Sequence, residues 1–298
     1  MEPLFTVLHQ MQSLRDIKLF DIPFTTTMLD RLCEVLSTRL YNLELWGCSY
    51  PVDYTIQQAA LKIRRLGLML ECDWINVAPP PTTIKVLAAI IERSLSSISS
   101  LTLSWCLDVL EYVGTMPRLT SLNIISGSPK NDEWLSNFLV ANPQLVEIAL
   151  YGAFYELSLL SLLPPSALPN LRTIRAIPEH IQHLLPGRPV AKVEICQSSK
   201  AKIMTDGLRS LSCSAALITE LTMHLHYHFT HLNDILDAVV ERVPRLERIW
   251  LSFHAEVRSI LYSGALLASI DHSFLAVANS PRSSCQTRLT ARGQFIGF

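Results

Sequence analysis

Charge, glycine and basic runs are all scarce in this sequence. Only 17% of the 298 residues are charged, and 25 Lys and Arg oppose 26 Asp and Glu for a formal net charge of −1. Such a chain projects no field of one sign, and no run of Lys and Arg supplies a local one, so a nucleic-acid partner is not implied. The ten glycines form no phosphate-cradling loop, and neither a G-x-S-x-G elbow nor an H-E-x-x-H helix occurs. The usual signatures of nucleotide, hydrolase and zinc-protease chemistry are therefore missing. The chain reads as non-enzymatic and without a cofactor.

Paired cysteines are lacking too. The seven cysteines, at 33, 48, 72, 106, 196, 213 and 285, are odd in number and scattered, with no C-x-x-C among them. A disulfide framework and a structural zinc site are not suggested, and a reducing compartment, cytoplasm or nucleus, fits best. The first ten residues, MEPLFTVLHQ, carry an acid and no basic segment before an apolar run, unlike a secretory signal. The nearest approach to a membrane span is Ile260 to Ala278, but Asp271 and His272 fall inside it, where hydrocarbon would penalise them. No membrane association is expected.

What is present is hydrophobic residue, 49% of the chain, arranged in a phrase that recurs. Its clearest copies are Met116 to Ile124 (MPRLTSLNI) and Asn142 to Leu150 (NPQLVEIAL). Each reads apolar, two variable, apolar, one variable, apolar. Ten copies begin at Leu14, Leu40, Ile63, Ile98, Leu119, Leu145, Leu171, Val190, Ile218 and Leu246. Successive starts lie between 19 residues (Leu171 to Val190) and 35 residues (Ile63 to Ile98) apart. A short helix bearing Leu4, Leu8 and Met11 leads into the first.

In an extended segment the fourth and sixth positions share one side, and the third, fifth and seventh share the other. After each copy come residues at helical spacing, such as Met28, Leu29, Leu32, Val35 and Leu36, or Val86, Leu87, Ile90, Ile91 and Leu95, or Ile235, Leu236, Val239 and Val240. Strand then helix, repeated, predicts a parallel sheet with helices behind it. Pro117, Pro143, Pro169 and Pro244 stand two residues before an anchor, where they end the preceding helix. ECDWINVAPPPTT, from Glu71, lengthens one unit, with Thr82 or Thr83 as the expected cap of the next helix. Pro186 and Gly187 stop a brief helix after Leu185.

This pattern resembles the leucine-rich repeat, L-x-x-L-x-L in units of roughly 20 to 29 residues. The resemblance covers Leu4 to Phe253. It implies an α/β solenoid of about ten irregular repeats over residues 1–279, with a curved parallel sheet inside and helices outside. Residues 280–298, without an apolar period, read as a disordered tail. The family places Asn or Cys at the ninth position to satisfy loop backbone, and here Cys48 and Cys106 occupy it in two copies. Phrases such as LPNLRTI and VPRLERI also resemble the repeat region of fungal F-box proteins, although no F-box itself is evident. That resemblance implies a substrate receptor of an SCF-type ubiquitin ligase, joined to the SCF adaptor if an F-box lies upstream. DIPFTTTMLDRLCEVLS has some F-box character but reads better as a repeat helix. A second implication, from similar horseshoes, is a regulator or inhibitor acting directly on an enzyme such as a GTPase or nuclease.

The outward positions suggest where a partner would lie. The third-position column, from Asp16, Asn42 and Arg65 to Glu220 and Arg248, is polar throughout. The seventh contains Phe20, Trp46, Met69, Ile125, Tyr151 and Ile177, and Trp250 stands in the fifth. Lined up on a concave face on the order of 45 Å long, these seven residues are the expected protein-binding edge. The competing reading has each loop folding over its own seventh-position side chain. One histidine cluster, MHLHYHFTHL from Met223, carries His224, His226 and His228 at alternate positions, followed by His231. Imidazoles so spaced can hold zinc or copper. The plainer reading places His224 on the outward side of the sheet and the others in a turn.

Overall fold

A computed structural model describes residues 7, 10–11, 13–52, 54–57, 60–70, 80–104, 107–126, 132–151, 160–161, 163–198, 201–226, 232–254, 285–290 and 295–297. The chain divides into two compact units, Met1–Asn170 and Leu171–Phe298.

In the first unit six strands follow one another: β1 (Asp16–Phe20), β2 (Asn42–Trp46), β3 (Arg65–Met69), β4 (Ser100–Ser104), β5 (Ser121–Ser126) and β6 (Glu147–Leu150). Each pairs in parallel with the next. Parallel neighbours need a crossover. It is supplied by α1 (Thr26–Thr38) after β1, α2 (Pro81–Ser94) after β3, a 3-10 turn at Leu107–Glu111 after β4 and α3 (Asp132–Ala141) after β5. In the second unit β7 (Thr173–Ala176), β8 (Lys192–Ser198), β9 (Glu220–His226) and β10 (Arg248–His254) repeat the design. There the helices are α4 (Pro178–Leu184), α5 (Ala201–Ser210) and α6 (Leu232–Arg242). Both units carry the strand-and-helix repeat of a leucine-rich-repeat solenoid, and all ten expected strands begin at the third position of their phrase.

The period of two decides what is buried. All ten sixth-position residues, Leu19, Leu45, Leu68, Leu103, Ile124, Leu150, Ala176, Ile195, Met223 and Leu251, are buried. Fully burying one such Leu or Ile stabilises by roughly 2 kcal/mol. The helices complete the core with one face each: α1 buries Met28, Leu29, Leu32, Val35 and Leu36, and α2 buries Val86, Leu87, Ile90 and Ile91. Helix α6 buries Ile235 and Val239, but Val240 is 71% exposed. The apolar spacing there is one residue wider than the buried stripe. Leu4 and Leu8 lie outside the described residues, and Met11 is exposed.

Chain entry into the strands follows the prolines. Leu119 donates its N–H to Met116 O at 3.0 Å, Leu145 to Asn142 O at 3.2 Å and Leu246 to Val243 O at 3.1 Å. These are four-residue turns with Pro at the second position, which its fixed φ favours. Helix α2 starts at Pro81 with Pro80 before it and no side-chain cap, so Thr82 and Thr83 do not cap it. Proline suits the first helical position, where no N–H is needed, and Thr83 is buried inside the first turn. Helix α4 ends at Leu184 with Leu185 as its cap, and Gly187 takes φ 73°, as expected of the Pro-Gly stop.

Two strands, β11 (Cys285–Thr290) and β12 (Phe295–Gly297), occur in the stretch read from sequence as a tail. β11 is antiparallel to β10 and β12 to β11. An open edge offers unpaired N–H and C=O groups that a following segment can satisfy without any apolar period.

Candidate functional site

The outward face of the sheet is where the two units present side chains that the core does not use. In the first unit Phe20, Trp46 and Met69 end β1, β2 and β3 in direct register. The rings of Phe20 and Trp46 lie 5.3 Å apart at 47°. Phe20 is 51% exposed and Trp46 37%. Beside them runs a polar ladder. Lys18 Nζ meets Glu44 Oε2 at 2.9 Å. Asn42 Nδ2 donates to Asp16, while Arg65 Nε donates to Asn42 Oδ1 at 2.9 Å. Arg64 lies 4.9 Å and Arg15 5.4 Å from the Tyr41 ring centre. An aromatic pair on a charged border is thus held by strand register, not by a loop.

The remaining expected contact residues are distributed less evenly. In the first unit Ser104 is buried, and a β-bulge pairs it with Ser126, passing over Ile125. An extra residue on one strand re-aims its side chain, and Ile125 is 36% exposed there. Tyr151 is half-buried, its N–H donated to Ile124 O at 2.7 Å. In the second unit Ile177, half-buried, precedes the Pro178 that opens α4. Trp250 is half-buried on β10 beneath the Arg248 guanidinium, 5.7 Å from the ring centre. Exposed apolar side chains at the seventh position thus fall in the first unit, at Phe20, Trp46 and Ile125, whereas in the second unit Cys196 and Ser252 are buried there.

At the ninth position the second copy carries Cys48, one of the two expected cysteines. Cys48 is buried, with its thiol 3.4 Å from Trp46 O and 3.6 Å from Leu19 O. Burial pushes its pKa up, so it stays a weak donor to main-chain carbonyls of β1 and β2. Cys106 lies outside the described residues.

The second unit carries a pocket of about 410 Å³ on the outward face of β7 to β10, lined among others by Arg175, Lys192, Glu194, Glu220, His224 and Trp250. Glu220 receives Lys192 Nζ at 3.1 Å and also Arg248. Glu194 receives His224 Nε2 at 3.1 Å and Arg175 Nε at 3.5 Å. The hydrogen bond from His224 is the main cause that holds the Glu194 carboxyl below its ordinary value; burial opposes it and Arg175 assists. Cys196, buried below by a bulge in β8, has its thiol pushed up to about 12 by burial and by Glu194.

His224 therefore sits on the outward side of the sheet, where the plainer sequence reading put it, but His226 ends β9 instead of lying in a turn. The carboxylate partner of His224 comes from the neighbouring strand, 30 residues away. The side chain of His226 and residues His228 and His231 lie outside the described residues. Among the described residues no three His, Cys, Asp or Glu side chains gather closely enough to hold a metal ion. No helix among them is long and apolar enough to cross a membrane. Glu194, Glu220 and Arg175 were not singled out as site residues from sequence. The signal that could have found them is the sign alternation along each column, Lys192–Glu220–Arg248 in the third and Arg175–Glu194 in the fifth.

Neither a protein-family model nor a curated protein sequence matches the chain. Among solved structures it is similar to the leucine-rich repeat-containing protein LegL7 from Legionella pneumophila. The two are 15% identical with a TM-score of 0.50 over 84% of this chain and 87% of that one. Identity this low carries the fold alone, and the fold it carries is the leucine-rich repeat.

Proposed function

We propose that this chain is a non-catalytic protein-recognition module, and specifically the substrate-recognition part of an F-box type receptor of an SCF ubiquitin ligase. The observation that carries the recognition reading is the exposed Phe20–Trp46 pair, in register with Met69 on the outward sheet face. Large apolar rings on a rigid surface, bordered by charge, are what protein interfaces use as anchors. Ile125 and Tyr151 are the further contact residues proposed in the first unit, and Ile177 and Trp250 those proposed in the second. The F-box part of the reading rests on the resemblance of phrases such as LPNLRTI and VPRLERI. The segment with F-box character contains α1, a repeat helix whose apolar face is buried, so it is not the docking element in this proposal.

Affinity capture from cells with the wild-type chain and with the Trp46→Ala, Tyr151→Ala double variant tests both levels. The expected result is capture of a protein that the variant loses, with its melting temperature nearly unchanged. A large drop in melting temperature would mean that the rings are structural. The SCF adaptor among the captured proteins supports the receptor assignment. A GTPase or nuclease bound directly, without the adaptor, would replace it with the enzyme-regulator reading.

A further inference from the structure

We infer that the pocket on β7 to β10 is a binding site for an acidic segment of a partner protein, which crosses the strands with its carboxylates against Lys192, Arg175 and Arg248. This rests on the reading of the chain as a protein-recognition module and adds a polar site in the second unit, which shares Trp250 with the contact residues proposed there.

Depth gives the site its sign. Glu220 is 12% exposed and Glu194 25%, whereas Lys192 is 53%, Arg175 43% and Arg248 42% exposed. Both carboxylates lie at the floor, each against two basic side chains, and the cationic heads stand at the rim. Lys192 and Arg175 line the pocket and Arg248 stands beside it on Glu220, so the part that solvent meets is positive. An ammonium has three donors, more than its ion pair with Glu220 can occupy. A carboxylate arriving at the rim meets hydrogen-bond donors already held in place by the floor, so little side-chain freedom is lost on binding.

Shape and polarity favour a peptide. Four strands at about 4.8 Å spacing give a track roughly 14 Å long, the reach of four to five extended residues. Trp250 closes one end with an apolar wall. A phosphodiester backbone carries no donor for Glu194 and Glu220 to accept from, its donors lying out on the bases. A peptide offers both parts: acidic side chains for the rim, and backbone N–H groups for the floor carboxylates and for Thr222, which also lines the pocket.

The test is fluorescence anisotropy on the full chain with three labelled probes: octaglutamate, octalysine and octathymidylate. Octaglutamate is expected to bind, more weakly as salt rises. Octalysine is expected not to bind, and octathymidylate to bind less well than octaglutamate. The Lys192→Gln, Arg175→Gln variant removes both charges while keeping polar, unbranched side chains and is expected to weaken octaglutamate by about tenfold or more, with an unchanged circular dichroism spectrum. Trp250→Leu, which keeps an apolar wall without the ring, is expected to weaken it less. The inference is overturned if octaglutamate fails to bind the wild type, if the double Gln variant binds it equally, or if octathymidylate binds more tightly. Loss of octaglutamate binding in the Trp46→Ala protein would place the acidic segment in the first unit and overturn it too. Failure here leaves partner capture through Phe20 and Trp46 standing, because that assay reads different residues.

Discussion

The side chain of Asn142 is fully buried, and its Oδ1 accepts the main-chain N–H of Met116 at 2.7 Å, 26 residues earlier. Its Nδ2 donates to Phe138 O at 2.8 Å, one helical turn back along α3. One amide thus joins the turn that enters β5 to the helix that precedes β6. Each polar atom it satisfies would otherwise be an unpaired group in an apolar interior.

Asn142→Ala is therefore expected to destabilise the first unit by about 2 to 3 kcal/mol, the cost of orphaning buried main-chain groups plus a small cavity. Asn142→Asp keeps the acceptor for Met116 but puts a carboxylate against Phe138 O, and should also destabilise. Urea titrations of the two variants check this, the midpoints falling without a change of slope.

Arg188 is 1% exposed, with NH1 donating to Leu184 O at 3.0 Å and His183 O at 3.1 Å. It caps the carbonyl end of α4 from inside the core, and burial lowers its pKa. Arg188→Met fills much of the same volume but leaves those carbonyls without a donor. A loss of about 1 to 3 kcal/mol is expected, read as a fall in the midpoint of chemical denaturation.

Gly207 tests a sign. Alanine is the better helix former by about 1 kcal/mol, yet a Cβ at 207 in α5 would stand 2.6 Å from Pro178 Cβ and 3.0 Å from Pro178 Cα in α4. A proline ring and its backbone cannot swing aside, so overpacking of about 1 to 3 kcal/mol wins. Gly207→Ala should melt below the wild type; a higher melting temperature would show that the two helices separate freely.

Acid should weaken the fold in two windows. Burial pushes the His180 imidazole from 6.5 down to about 4, with His183 adding to it. Between those values the unfolded chain binds the proton and the folded chain does not, so the stability is fully present above pH 6.5 and is lost as pH falls toward 4. The loss is on the order of 3 kcal/mol. Glu194, held below the ordinary 4.5, adds stability that is lost at lower pH still. Denaturation midpoints between pH 7 and pH 4 follow the first window, and His180→Phe should flatten it.

Much of the fold was legible because its cause is local. The sixth-position residues are apolar in every copy, and a period of two sends them all to one side, whatever their neighbours. Cys48, Gly187 and the turn prolines were readable for the same reason, since each acts on backbone within a few residues. The Thr82 or Thr83 cap was misplaced because Pro81 already suits the first helical position. Val240 was misassigned because a helical spacing does not say how wide the buried stripe is.

The candidate sites were legible in type but not in membership. Phe20, Trp46 and Met69 stand out in sequence as apolar residues at outward positions, and the strand register stacks them. The pairs Glu194 with His224 and Glu220 with Lys192 join residues about 30 positions apart, and the bulges that bury Cys196 and bypass Ile125 leave no local mark. By itself the sequence determined that repeated strands would bury one face and present the other, because alternation along a strand depends only on neighbours in the chain. Which outward side chains stay exposed, which carboxylates sink beneath cations, and where a ladder slips by a residue were decided in the tertiary structure. Burial and electrostatic pairing depend on distances between strands that the chain reaches only after each helix has turned it back.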